Sequence, residues 1–135
     1  MVGLGGIGKI HLSNVQRYRA NAKVIVACPV KNKDESFLKL NAVHFHFESY
    51  KKMIKVKNID AVIIASLPAF HFDQIKIAVN EVKHIFCEKP VELFYNKVEM
   101  VKELFNESGI KFMVGFNRRF DPHINQLKNH YNKTN

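Results

Sequence analysis

Ile85-Phe86-Cys87-Glu88-Lys89-Pro90 is the stretch from which the fold of this chain can be read. A short apolar run ends abruptly in a carboxylate, an ammonium and a proline. In a parallel α/β sheet the carboxyl ends of the strands face the ligand crevice, so a strand ending this way holds Glu88 and Lys89 at its mouth. Pro90 fixes the chain as it leaves. Lys89 has the stronger claim to chemistry, because an ammonium beside a reacting hydroxyl stabilises developing oxyanion charge.

Three more runs of the same kind surround it. Lys23–Cys28 and Ala61–Ala65 are apolar and rich in β-branched residues, as buried strands are. Lys111–Val114 is a third. Val43–Phe47 alternates, which predicts a strand with Val43, Phe45 and Phe47 inward and His44 and His46 on the opposite, solvent-facing side. Helical patterns fall between them. Asp34–Asn41 carries Phe37, Leu38 and Leu40, and Ser49–Lys55 carries Tyr50, Met53 and Ile54. His71–Val82 has Phe72, Ile75, Ala78, Val79 and Val82 on one face. Phe94–Ser108 has Phe94, Val98, Val101, Leu104 and Phe105, with Gly109 placed to end it. A last helix starts near Pro122. Strands alternating with helices of this length predict an α/β fold: a Rossmann-like, doubly wound parallel sheet with helices on both faces.

At the amino end Gly3-Leu4-Gly5-Gly6-Ile7-Gly8 opens a helical stretch, Lys9–Arg19, with Ile7, Ile10, Val15 and Tyr18 near one face. Gly3, Gly5 and Gly8 fit G-x-G-x-x-G, where backbone must approach a pyrophosphate closely and a helix N-terminus offers free N–H groups. Right-handed crossovers bring this loop to the same sheet edge as Ser66, Glu88-Lys89 and Asn117-Arg118-Arg119.

Composition narrows the function classes. The 135 residues suit one domain, and 47% hydrophobic with 24% charged content suits a globular one. No apolar run approaches the roughly 18 residues of a membrane helix. Met-Val-Gly-Leu-Gly-Gly does not have the form of a signal peptide. Cys28 and Cys87 each close an apolar run, as buried thiols do in a reducing, cytoplasmic setting. The net charge of +9 comes from lysines spread along the chain. The densest group, Lys51, Lys52, Lys55 and Lys57, reads as a solvated helix face, so no nucleic-acid partner is expected.

Four blocks in order now carry a resemblance: Gly3–His11, Ile59–His71, Phe86–Pro90 and Phe112–Pro122. They resemble the glucose–fructose oxidoreductase, inositol dehydrogenase and rhizopine-catabolism group (Gfo/Idh/MocA), with wording nearest its inositol 2-dehydrogenase branch. The resemblance implies an NAD(P)-dependent oxidoreductase of polyols or sugars. It implies that Gly3, Gly5, Gly6, Ile7 and Gly8 contact cofactor, that Ser66 and His71 sit near its nicotinamide half, and that Glu88 and Lys89 follow, with Lys89 beside the reacting hydroxyl. Asn117, Arg118 and Arg119 line the substrate side; no metal is implied.

Three departures from the family pattern set further expectations. Only Met1 and Val2 precede Gly3, so the first strand is largely missing and the chain reads as truncated there. Pro29 stands where an acidic residue usually holds the adenosine ribose, and Lys31 and Lys33 nearby leave NAD or NADP open. The expected division is a dinucleotide-binding domain over 1–121 and, over 122–135, the start of a crossing helix towards an absent substrate domain. That domain would supply an Asp-x-x-x-His base and the oligomer contacts, so this chain is not expected to turn over alone. A non-catalytic dinucleotide-binding or interaction module, or a gene remnant, stays open beside the oxidoreductase reading.

Overall fold

A computed structural model describes residues 1–29, 35–106 and 108–134. Among the described residues five strands form, all parallel: β1 Ile25–Ala27, β2 Phe45–Phe47, β3 Ala61–Ile64, β4 His84–Cys87 and β5 Lys111–Val114. Six α-helices among the same residues alternate with them: α1 Gly6–Tyr18, α2 Glu35–Leu40, α3 Tyr50–Ile54, α4 His71–Ala78, α5 Tyr95–Asn106 and α6 Pro122–Thr134. The expected strands and helices all form, most of them shorter by a residue or more, while β5 coincides with its predicted span. Asp34, the expected start of α2, and Lys31 and Lys33 lie outside the described residues.

The strands pair as β1–β2 and as β3–β4–β5. Val2 joins the two groups. It bridges Ala27 on one side and Ile64 on the other, both in parallel register. Its N–H donates to Ile63 O at 2.9 Å, and its carbonyl accepts from Ala65 N at 2.9 Å. Met1 O accepts from Ala27 N at 2.8 Å, and Gly3 N donates to Ala27 O at 3.0 Å. A three-residue stub therefore stands in the centre, giving the order β2–β1–stub–β3–β4–β5, with the chain winding outward in both directions. That centre is a topological switch point, where a ligand crevice opens in such sheets.

Side chains alternate across the sheet. Ala27, Val62, Ile64, Ile85 and Cys87 face α3, α4 and Val101 of α5, in a core with Met53, Ile54, Phe72 and Ile75. Val26, Cys28 and Ile63 face the other way, onto Leu12 of α1 and Leu38 of α2. Each fully buried Ile or Leu contributes roughly 1.5–3 kcal/mol of transfer free energy. The buried amine of Met1 donates to Ile25 O at 2.7 Å, and burial lowers its pKa to about 5.

Several apolar stripes do not face the core. In α1, Ile7, Ile10 and Tyr18 are exposed, and Gly8 and Leu12 are the buried positions, because the helix starts inside the glycine run and presses that side on the sheet. In α5, Phe94 just ahead of the helix and Val98 are exposed, and Val101 is the buried contact. Phe45 is 68% exposed at the amino end of the edge strand β2, while His46, expected in solvent, lies half-buried against Cys28. Helix α6 rests on the short turn Asn117–Phe120 and leaves Ile124, Leu127 and Tyr131 exposed. The lysines 51, 52, 55 and 57 are exposed, and Lys55 pairs with Glu81.

Candidate functional site: a dinucleotide crevice

The glycines of the first loop divide by what surrounds them. Gly3 has φ +88°, and a Cβ there would stand 2.5 Å from Ala65 O. A Cβ on Gly8 would stand 2.2 Å from Gly3 O. These two let the loop, the start of α1 and the end of β3 close on one another. Gly5 and Gly6 have open space instead. Gly5 caps α1 in an extended conformation, with no side-chain hydrogen bond to the cap and no acidic residue in the first turn. The helix end keeps its free N–H groups and positive dipole end for an anion, next to backbone without side chains. A pyrophosphate fits this cradle, and Ile7 is exposed beside it.

Ser66 leaves β3 next to Gly3, and its hydroxyl donates to Gln74 Oε1 of α4 at 2.7 Å. His71 lies beneath rather than in the crevice. It is 1% exposed, with Nδ1 2.8 Å from Pro90 O and Nε2 3.1 Å from Ser66 O. As the imidazolium it donates to both main-chain carbonyls and ties the two exit loops together; as the neutral ring it donates to one of them. The resemblance puts His71 near the nicotinamide half of the cofactor; in the structure its ring is enclosed by the loops it joins.

Glu88 is similarly occupied. Its side chain is 12% exposed, and Oε1 lies 2.7 Å from Nε2 of His11, on α1. Oε2 accepts from the Lys89 N–H at 3.2 Å. Gly115, just past β5, leaves room for this carboxylate: a Cβ there would meet its atoms at 3.0–3.1 Å. The His11 ring stands edge-on to Phe86, with centroids 5.1 Å apart. Lys89 itself is exposed, and the peptide joining it to Pro90 is cis. Cys87, under the same loop, is no nucleophile: burial, with the Glu88 charge adding, pushes its thiol up to about 12.

The residues expected on the substrate side sit in the turn after β5. Arg118 Nη1 donates to Asp121 Oδ2 at 3.1 Å, and the Arg119 guanidinium lies 5.5 Å from the Phe116 ring centroid. Asp121 caps α6, accepting from His123 N at 2.9 Å and Ile124 N at 3.3 Å. Those backbone hydrogen bonds, with Arg118 adding, hold its carboxyl below the usual carboxylate range. Arg118 therefore serves the start of α6. Pro29 follows β1 with no side-chain acceptor to offer, and its neighbours Lys31 and Lys33 lie outside the described residues.

The residues that sequence reasoning left without a role are His11, Gln74 and Gly115. His11 ends the glycine block at helical spacing from Gly8, yet its partner is 77 positions away, beyond any local pattern.

A crevice of backbone N–H groups at the switch point of a parallel sheet defines a dinucleotide-binding domain. The chain belongs to the oxidoreductase family with an NAD-binding Rossmann fold, whose sequence model matches residues 1–116. It is 33% identical to scyllo-inositol 2-dehydrogenase (NAD(+)) of Bacillus subtilis over 123 residues, covering 90% of this chain and 36% of that one. An uncharacterized oxidoreductase, YrbE, of the same organism is 32% identical over 95% of this chain and 38% of its own length. The scyllo-inositol dehydrogenase of Lactobacillus casei, solved with NAD(H) and scyllo-inositol bound, superposes with a TM-score of 0.89. It shares 34% identity over 98% of this chain and 39% of that one. The chain thus spans about two fifths of the length of these relatives.

Proposed function

We propose that this chain is the cofactor-holding part of an inositol-dehydrogenase-like enzyme. Residues 1–121 would hold a dinucleotide, and 122–135 would begin the crossing towards a substrate domain. The observation that carries this reading is the uncapped start of α1, where Gly5 and Gly6 face open space beside free N–H groups. Gly3 and Gly8 keep that cradle closed from below. Ser66 borders it, and Lys89 presents an ammonium from the next strand end but one.

Bound nicotinamide would accept the hydride from a carbinol carbon of a polyol or sugar. Lys89 would donate a hydrogen bond to the reacting oxygen and favour its alkoxide character. The base that takes the hydroxyl proton would come from the second domain. Asn117 and Arg119, in the turn after β5, would meet substrate, and the exposed Ile124, Leu127 and Tyr131 would be covered by that domain. Oligomer contacts would belong to the longer form, in a cytoplasmic setting.

Pro29 supports a second reading of cofactor preference. Without a carboxylate at that position, the discrimination against a 2′-phosphate that an acidic residue gives is weakened, so NADPH is a credible ligand beside NADH. Titration with each nucleotide, followed by nicotinamide fluorescence, tests both points. Saturable binding of NADH is the expected result. Failure of both nucleotides to bind up to millimolar concentration would overturn the cofactor reading.

A further inference from the structure

Lys89 lies between two residues that histidines hold from different sides. Glu88 is held through its carboxylate by His11, from the helix that the glycine loop opens. Pro90 is held through its carbonyl by His71, whose other ring nitrogen reaches Ser66 O. Gly115 closes the third side, with space for the Glu88 carboxylate and none for a methyl group at ordinary contact distance. Its N–H also donates to Cys87 O at 2.8 Å, so β5 pins the strand just ahead of Glu88.

We propose that His11 and His71 are positioning residues that clamp Glu88–Pro90 and so fix the ammonium of Lys89 relative to the glycine loop. Glu88 acts inside this clamp and is not a cofactor ligand. A lysine side chain is long and rotamer-rich, and it loses much freedom when it must serve one place. Fixing its backbone on both sides removes the part of that freedom that belongs to the loop, and leaves the side chain to be ordered by the ligand. The glycine loop and the Lys89 loop share no covalent neighbourhood. The His11–Glu88 contact joins them directly, at charge-assisted hydrogen-bond distance, in a half-buried place where such a bond is worth more than at the surface.

The function of the clamp rests on the reading of the crevice as a dinucleotide site, but its existence does not, and the test separates the two. Hydrogen exchange of the free chain is measured over residues 86–92, in the wild type and in His11→Ala, Glu88→Gln and Gly115→Ala. The last leaves both partners in place and crowds only the carboxylate. The clamp requires exchange in this loop to accelerate about tenfold or more in His11→Ala and Gly115→Ala, while α4 is unchanged. An unchanged loop in both variants overturns the proposal, whether or not nucleotide binds. NADH and ADP-ribose are then titrated into the same variants. A clamp that positions Lys89 weakens NADH about tenfold and leaves ADP-ribose, which lacks the nicotinamide, within twofold. A merely structural contact would weaken both alike, and that outcome overturns the positioning role. His71→Asn keeps one side-chain donor for a carbonyl and is expected to recover part of the NADH affinity lost in His71→Ala. Should neither ligand bind the wild type, the cofactor reading fails, and the exchange data still decide the clamp.

Discussion

Two loops flank the crevice, and they are built in opposite ways. The glycine loop closes backbone against backbone, Gly3 against Ala65 and Gly8 against Gly3, with Leu4 buried in the core beneath it and no side-chain hydrogen bond capping α1. The Lys89 loop is held by side chains reaching in from α1 and α4. The first arrangement tolerates no added atom where the chains cross; the second depends on partners far away in sequence. The difference teaches that a loop proposed to receive phosphate keeps its surface clear, whereas one proposed to present an ammonium is braced.

Substitutions can break this contrast, starting with the largest effect. Gly3→Ala should lose about 4 kcal/mol of stability or more, from a left-handed φ of +88° and a Cβ 2.5 Å from Ala65 O. A urea midpoint close to the wild-type one would show that the loop is not backbone-built.

The Met1 amine behind that loop gives a pH test for the chain starting at Met1. Its folded pKa of about 5 lies below the usual 8.0, so between these values the unfolded chain binds the extra proton. Stability therefore falls as pH drops from about 8 to about 5, by roughly 4 kcal/mol in all. Acetylating the amine should flatten that slope in a pH series of denaturant melts.

Under the braced loop, Ile85→Ala should cost about 3 kcal/mol, since Ile85 is 2% exposed in the main core. Gly6→Ala should sharpen the contrast. Its Cβ meets open space in the first turn of α1, so stability should stay within about 1 kcal/mol while NADH affinity falls. Smallest of all, Lys89→Met should shift the thermal midpoint by no more than about 0.5 kcal/mol allows, and should change only what the nicotinamide half of a ligand reports.

How far the sequence could be read follows the same division. Apolar runs ending in polar loops marked the strands, because burial on both faces of a parallel sheet leaves that trace. Glycine spacing marked where backbone meets backbone at Gly3 and Gly8, because a missing side chain is visible in the sequence itself. Helix faces were less legible: Ile7, Ile10 and Phe94 satisfy an apolar period yet stay exposed, since the period does not say which stripe meets the sheet. The brace of Glu88 was illegible. A histidine and a glutamate 77 residues apart meet only because α1 and β4 lie against one another. His71 was noticed, but its burial beneath the crevice needed the loops to be in place.

Val2 carries one more consequence. Among the described residues, the two strand groups of the sheet join through Met1–Gly3: Val2 bridges Ala27 and Ile64, while Met1 and Gly3 make the hydrogen bonds to Ala27. That seam belongs to the backbone ladder alone, because Met53 and Ile54 of α3 share one core with Ile64 and Ile75, and the Tyr50 hydroxyl donates across it to Gln74 O at 2.9 Å. Amides of Val2, Gly3, Ala27 and Ala65 sit astride it and report when it parts. The same seam runs beneath the glycine loop, so an anion that touched both that loop and the end of β3 would act as a rivet across it.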